Sequence, residues 1–143
     1  MSLFVTGTDT GVGKTHTAVQ LLRLLGASGM RCAAMKPICC GDRRDAEFLL
    51  AAGSEGLTID EINPVWLKTP VAPLAAARIE QVKIDIECII AALRALQDRV
   101  EHVIVEGVGG WLVPNSCRLF CERFGRRDEV AGVGSCAEPP RLS

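Results

Sequence analysis

Short apolar runs alternate with helical patterns along most of this chain. Residues Leu3–Val5 form an apolar run that ends at Gly7, which is typical of a buried parallel strand. From Lys14 onward, apolar residues recur at helical spacing until Gly26 and Gly29 end the helix. The apolar stripe of this helix consists of Val19, Leu21, Leu22, Leu24 and Leu25. The opening of the chain therefore predicts a strand, a glycine-rich loop and a helix.

The alternation continues downstream and predicts the fold class. Residues 31–35 predict a second strand that stops before Pro37, because proline cannot continue a central strand. The remaining predicted elements are a short helix at 45–52, an irregular loop at 63–73, a long helix at 80–99 and a third strand at 102–105. Alternating strands and helices of this kind predict an α/β fold with a doubly wound parallel sheet and flanking helices. Ligands of such sheets bind at the carboxyl ends of the strands.

The segment GTDTGVGKT, residues 7–15, carries the most specific chemistry. A strand leads into it and a helix leads out, which is the context that a phosphate-binding loop requires. Lys14 is expected to reach the β- and γ-phosphates of a nucleotide, and the Thr15 hydroxyl to ligate Mg²⁺. The standard pattern has glycine six positions before the lysine, where this chain has Thr8.

Three further charged residues lie at the same predicted edge of the sheet. Glu106 ends the third strand and is predicted to give a second metal contact, or else it is a solvated carboxylate at a strand end. Asp45 follows the second strand and could join the metal site, but it is as well explained as a helix N-cap. Lys36 could neutralise a transferred phosphoryl group, or it could be a surface lysine.

Composition and charge narrow the class of protein. The formal net charge of −1 over 143 residues gives no reason to expect a nucleic-acid partner or an anionic membrane surface. No apolar run approaches the ~20 residues of a membrane helix, and no signal peptide is apparent, so a cytoplasmic protein is expected. The seven cysteines, an odd number without paired C-x-x-C spacing, are expected to be free thiols.

Four segments together resemble dethiobiotin synthetase. They are FVTGTDTGVGKT from Phe4, MKPICCG from Met35 with DAE from Asp45, INPVWLKTPVAPLAAAR from Ile62, and VIVEGVGGWLVP from Val103. The resemblance extends from Leu3 to Pro114. It implies an ATP-dependent carbon–nitrogen ligase of biotin biosynthesis, which closes a ureido ring from 7,8-diaminononanoate and CO₂ with ATP and Mg²⁺. Members of that family are expected to be homodimers.

The resemblance also implies roles for individual residues. Lys36 and Lys14 match catalytic residues, and Thr15, Asp45 and Glu106 match the metal ligands. The residues implied to bind nucleotide are Gly11, Val12, Gly13, Lys14, Thr15, His16, Asp45, Glu106, Gly107, Val108 and Gly109. The residues implied to contact the substrate are Thr10, Cys40, Pro73 and Gly110.

The chain departs from the family pattern after Pro114. Residues 115–143 contain five Arg and three Cys without a clear period, so a divergent, disordered or out-of-frame tail is predicted to follow a nucleotide-binding domain at 1–114. Codons for Leu119–Gly125 read from their second base can spell YFVSDLA, which resembles a later family segment. We therefore predict a reading-frame change near Pro114, with loss of strands beside the third strand and open sheet edges as its consequence.

Two other functions stay open at the level of sequence. One is an inactive remnant that binds nucleotide weakly or not at all. The other is a partitioning ATPase, whose loop reads KGG-x-GKT. Asp9 stands where that signature lysine would be, which disfavours the partitioning class.

Overall fold

A parallel sheet of four strands forms the centre of the protein. The computed structural model describes residues 1–7, 11–108 and 130–133. In chain order its elements are β1 (Ser2–Val5), α1 (Lys14–Ala27), β2 (Cys32–Met35), β3 (Ile38–Cys40), α2 (Arg44–Ala52), α3 (Ile59–Ile62), β4 (Val65–Leu67), α4 (Pro73–Ile79), α5 (Ile86–Arg99), β5 (His102–Glu106) and β6 (Val130–Val133). The main sheet has the strand order β2-β5-β1-β6, which confirms the predicted α/β class.

The register of the main sheet brings the ends of three strands together. Val5 at the end of β1 lies beside Glu106 at the end of β5, and Met35 at the end of β2 lies beside Val105. All pairs in this sheet are parallel, so the loops that follow the strands emerge at one edge. All four residues of β2 are buried, as expected for a strand that is covered on both faces.

Helices cover the sheet through their apolar stripes. Ala18 and Leu22 of α1 are fully buried, as are Ile89, Leu93 and Leu96 of α5 to within a few per cent. The longest predicted helix begins at Ile86 instead of Glu80, because Asp85 caps it by accepting hydrogen bonds from the amides of two residues in its first turn. No helix in the described ranges is long and apolar enough to cross a membrane.

The predicted loop at 63–73 contains regular structure that the sequence did not indicate. Val65–Leu67 forms β4, which pairs in parallel with β3, and Pro73 begins α4. Each of these strands has three residues, too few for an apolar period to be recognised. Pairing between strands distant in the chain, rather than local pattern, creates this second small sheet.

The expectation of an open edge beside the third strand is wrong. That strand is β5, and it lies in the interior of the sheet, hydrogen-bonded to β1 on one side and to β2 on the other. Val130–Val133, within the segment expected to lack structure, forms β6 along the other side of β1. The division of the chain at Pro114 and the reading-frame change stay predictions.

Candidate functional site at the phosphate loop

Two glycines give the loop before α1 its shape. Gly13 caps α1 with φ of 91°, a conformation that residues with a side chain rarely adopt. A Cβ on Gly7 would lie 2.7 Å from Cγ2 of Val12 and 3.2 Å from Cγ of Lys14, so glycine permits the close approach of these side chains. Lys14 thus begins α1, at the helix end whose free amides favour anions.

A buried ammonium group lies between two carboxylates beside this loop. Nζ of Lys36 is 2.5 Å from Oε1 of Glu106 and 3.0 Å from Oδ2 of Asp45. Lys36 is 4% exposed and Glu106 is 1% exposed, so neither is the solvated surface group that the sequence left open. Asp45 lies in the first turn of α2, whose N-cap is Arg43, so Asp45 is not the cap. Tertiary folding therefore brings together three side chains predicted to share one site.

Thr15 joins this group through Glu106. Its hydroxyl donates a hydrogen bond of 2.9 Å to Oε1 of Glu106, the same oxygen that faces Lys36. The second oxygen, Oε2, is buried and has no hydrogen-bond partner among the described residues. An unpaired carboxylate oxygen costs free energy when it is buried. Oε2 of Glu106 can therefore accept a hydrogen bond from a further donor, or it can bind a cation.

The two carboxylates keep Lys36 protonated. Burial by itself lowers the pKa of Lys36, but attraction and hydrogen bonding to Glu106, and then to Asp45, outweigh it, so the pKa lies above its ordinary value of 10.5. Lys36 is therefore a permanent positive charge at neutral pH. It can stabilise negative charge but cannot serve as a base.

The donor set at this position fits magnesium. In the described part of the chain, no three His, Cys, Asp or Glu side chains are grouped so that they could hold a metal ion by themselves. Mg²⁺ usually binds through one or two carboxylates, with phosphate oxygens and water as its other ligands. The Thr15 hydroxyl and the Glu106 and Asp45 carboxylates supply such a set, and the unpartnered Oε2 of Glu106 favours a cation there.

These groups line a cavity of about 670 Å³ at the carboxyl edge of the main sheet. One wall is the phosphate loop, and the other is formed by β3, the start of α2 and the segment before α4. The lining residues are Gly11, Gly13, Lys14, Thr15, Lys36, Cys39, Cys40, Gly41, Asp42, Asp45, Pro70, Val71, Ala72, Pro73, Glu106 and Val108. Lys14 and Glu106 thus face the same space, as a shared nucleotide requires.

A family model described as an AAA domain matches residues 1–122, most of the chain. The chain belongs to this family. The match continues past Pro114, where the resemblance was expected to end. The assignment of the chain to an AAA domain family agrees with the parallel sheet and with the phosphate loop between β1 and α1.

Several proteins similar to this chain are named ATP-dependent dethiobiotin synthetases. The one from Akkermansia muciniphila is 48% identical over 113 residues, which are 79% of this chain and 53% of the relative. The one from Methanococcus vannielii is 41% identical, with shares of 78% and 53%, and the one from Nitrosospira multiformis is 44% identical, with shares of 78% and 51%. The resemblance to dethiobiotin synthetase is confirmed. The chain spans about half the length of the curated relatives it matches.

Most of the predicted site residues of this AAA domain line the cavity, and some do not. Val12 and His16 are exposed and do not line it, and Gly107 lies beside Phe4 at the end of β1. Thr10, Gly109 and Gly110 lie outside the described residues. The predicted residues in the lining are Gly11, Gly13, Lys14, Thr15, Lys36, Cys40, Asp45, Pro73, Glu106 and Val108.

Several lining residues were not predicted from the sequence. Cys39 is buried, and burial raises the pKa of its thiol to about 11, so it is an inert wall residue at neutral pH. Gly41 turns with φ of 83°, and a Cβ there would lie 3.0 Å from Cβ of Pro70. This close approach joins the loop after β3 to the segment before α4. The only sequence signal for it was the presence of glycine and proline in otherwise irregular segments.

Proposed function

We propose that this protein is an ATP-dependent dethiobiotin synthetase. The reaction joins 7,8-diaminononanoate and CO₂ into a cyclic urea while ATP is cleaved to ADP and phosphate. The observation that carries the proposal is the buried contact of Lys36 with Glu106 in a cavity that also contains the phosphate loop. The names of the similar proteins support the choice of reaction. By the same resemblance we propose a cytoplasmic homodimer.

The proposed chemistry needs positive charge more than it needs a base. One substrate amine adds to CO₂ and forms a carbamate anion, and a carbamate oxygen then attacks the γ-phosphorus of ATP. This attack breaks the bond between the γ-phosphorus and the β–γ bridging oxygen and releases ADP. The second amine then attacks the carbonyl carbon of the resulting mixed anhydride and expels phosphate, which closes the ring. Lys36 and Lys14 both line the cavity and can stabilise the negative charge of the carbamate and of the transferred phosphoryl group.

The remaining site residues orient the reactants. Thr15, Asp45 and Glu106 would hold Mg²⁺, which when bound neutralises phosphate charge and aligns the β- and γ-phosphates. Cys40 and Pro73 lie on the wall opposite the phosphate loop, where a diamine would contact them. A substrate held between the two walls reacts faster, because its reacting groups are already close together and oriented.

Formation of dethiobiotin by the purified chain of 143 residues tests the proposal. The chain is incubated with 7,8-diaminononanoate, bicarbonate and MgATP, and dethiobiotin and ADP are quantified by mass spectrometry. We expect both products in equal amounts, dependent on the diamine. ADP released at the same rate without the diamine would indicate another ATPase instead. Absence of both products would favour the inactive remnant.

Binding of nucleotide can be tested separately from turnover. MgATP at about one hundred times its Kd is expected to raise the free energy of unfolding by about 2.7 kcal/mol, because ligand binds only the folded state. Differential scanning fluorimetry would show this as an upward shift of Tm. The Lys14→Ala variant is the control and should lose most of the shift. An unchanged Tm of the original chain at millimolar MgATP would contradict the nucleotide site.

A further inference from the structure

Asn63 is a buried polar residue close to Lys36 that the proposed chemistry does not use. It is 1% exposed, and its side chain makes three hydrogen bonds to other described residues. Its Nδ2 donates to the carbonyl oxygen of Lys36 at 2.7 Å and to that of Val65 at 3.1 Å. Its Oδ1 accepts from Nε of Arg43 at 2.9 Å. A buried amide that bonds to two backbone carbonyls and to an arginine stabilises the backbone around it.

The backbone of Lys36 depends on Asn63 and its neighbour. Lys36 directly follows β2, and Pro37 has no N–H with which to continue the ladder. The Lys36 amide donates to the carbonyl oxygen of Ile62 at 2.8 Å, while the Lys36 carbonyl accepts from Asn63. Both polar backbone groups of Lys36 are thus held by residues 62–63. These two bonds hold the Cα from which the Lys36 side chain extends to Glu106 and Asp45.

Arg43 holds Asn63 in turn and connects it to the wall of the cavity. Its guanidinium donates to the backbone oxygen of Asn63 at 3.0 Å and to Oδ1 of Asp60 at 2.8 Å. It also lies over the ring of Trp66, 5.0 Å from the centroid, and Trp66 donates to the carbonyl oxygen of Gly41 at 2.7 Å. Arg43 therefore holds Asn63 through its side-chain and backbone oxygens, while Nδ2 of Asn63 binds the Lys36 carbonyl.

We infer that Asn63 is a positioning residue that holds Lys36 in register with Glu106 and the phosphate loop. The inference rests on the proposed function for its effect on turnover. Asn63 lines no part of the cavity, so it acts through the Lys36 backbone and does not contact substrate. A displacement of about 1 Å at a catalytic group can lower a rate by about 10²-fold.

Replacement of Asn63 by aspartate separates its two contacts. Asn63→Asp keeps an oxygen for Arg43 but loses the N–H groups that bind the Lys36 and Val65 carbonyls. We expect kcat to fall by about 10- to 100-fold while KM for ATP changes by less than about threefold, since the phosphate loop belongs to a different element. Asn63→Ala also lacks the donor and is the second variant if Asn63→Asp does not fold. Asp60→Asn is the control: Asp60 is 83% exposed, binds the same arginine and should leave kcat unchanged.

A measurement without turnover keeps this inference separate from the proposed reaction. Acetic anhydride labelling followed by mass spectrometry reports how fast each lysine is modified. In the original chain the buried, paired Lys36 should react slowly, and in Asn63→Asp we expect its modification to be at least about tenfold faster. The exposed Lys83 should react equally in both proteins. Unchanged labelling of Lys36 in folded Asn63→Asp and Asn63→Ala would overturn the inference, whether or not the chain makes dethiobiotin. If the modification of Lys83 also became faster and the MgATP-dependent shift of Tm were lost, the variant would be generally unfolded. That result would overturn the inference too.

Discussion

Replacing Lys36 by methionine is expected to lower the rate of dethiobiotin formation by about 10³-fold. Methionine keeps much of the apolar stem but removes the ammonium group that faces Glu106 at 2.5 Å. Loss of a single group that stabilises developing negative charge lowers turnover by about 10²–10³-fold, and Lys36 is also proposed to hold the carbamate. The MgATP-dependent shift of Tm should persist, because the phosphate loop is unchanged.

The control for this experiment is an exposed lysine. Lys83 lies between α4 and α5, away from the cavity, and Lys83→Met should leave the rate of product formation unchanged. The rate is measured with saturating diamine and MgATP, so that a change in affinity does not appear as a change in turnover. If Lys36→Met retained more than about a tenth of the activity, Lys36 would not have the proposed role.

Replacing Glu106 by leucine is expected to destabilise the nucleotide-free protein by about 3–5 kcal/mol. This substitution leaves Lys36 buried with only the half-exposed Asp45 as an anionic partner, and removal of one member of a buried ion pair has a cost of this size. The Thr15 hydroxyl loses its acceptor as well. Urea denaturation gives the free energy of unfolding, and an unchanged slope with denaturant shows that the comparison is valid.

The double variant Lys36→Met with Glu106→Leu is the matched test of this pair. Two apolar side chains of similar volume can replace a buried ion pair at little or no cost, so the double variant should recover most of the stability that Glu106→Leu loses. Independent, additive losses in the two single variants would show that the two residues are not coupled.

The stability that the Lys36–Glu106 pair contributes is expected to decrease at high pH. The pKa of Lys36 is raised in the folded protein, so the stability that its charge contributes is fully present below 10.5, its ordinary value, and is lost as pH rises through the raised pKa. The difference in unfolding free energy between the original chain and Lys36→Met should therefore be constant from about pH 7 to about pH 9 and change only at higher pH.

Local sequence was sufficient for the motif and for most main-sheet elements. Residues 7–15 contain the glycine that caps α1 and the lysine and threonine that begin it, so the start of this helix could be predicted from a contiguous segment. The apolar runs before Gly7 and before Glu106 likewise predicted β1 and β5. The sequence did not predict β3 and β4, because each strand has three residues and pairs with a strand far along the chain.

The candidate site also contains features that the sequence predicted and features that only the tertiary structure shows. Sequence alone left Lys36 as either a surface lysine or a catalytic one, and Asp45 as either a cap or a ligand. Burial of Lys36 against Glu106, which lies 70 residues further along the chain, excludes the surface lysine, and the catalytic role stays a proposal. The capping position of Arg43 excludes Asp45 as the N-cap, and its role as a metal ligand stays a proposal. Asn63 gave no sequence signal of its importance, since an asparagine before proline is ordinary in a loop.

By itself, then, the sequence determined the phosphate loop, the alternation of strands and helices and the family resemblance, because each depends on residues that are near one another in the chain. Only the tertiary structure decided the position of β5 between β1 and β2, the charge environment of Lys36 and the support given by Asn63. The physical reason is that strand order and burial arise from contacts between distant segments, and burial changes what a charged or polar side chain can do.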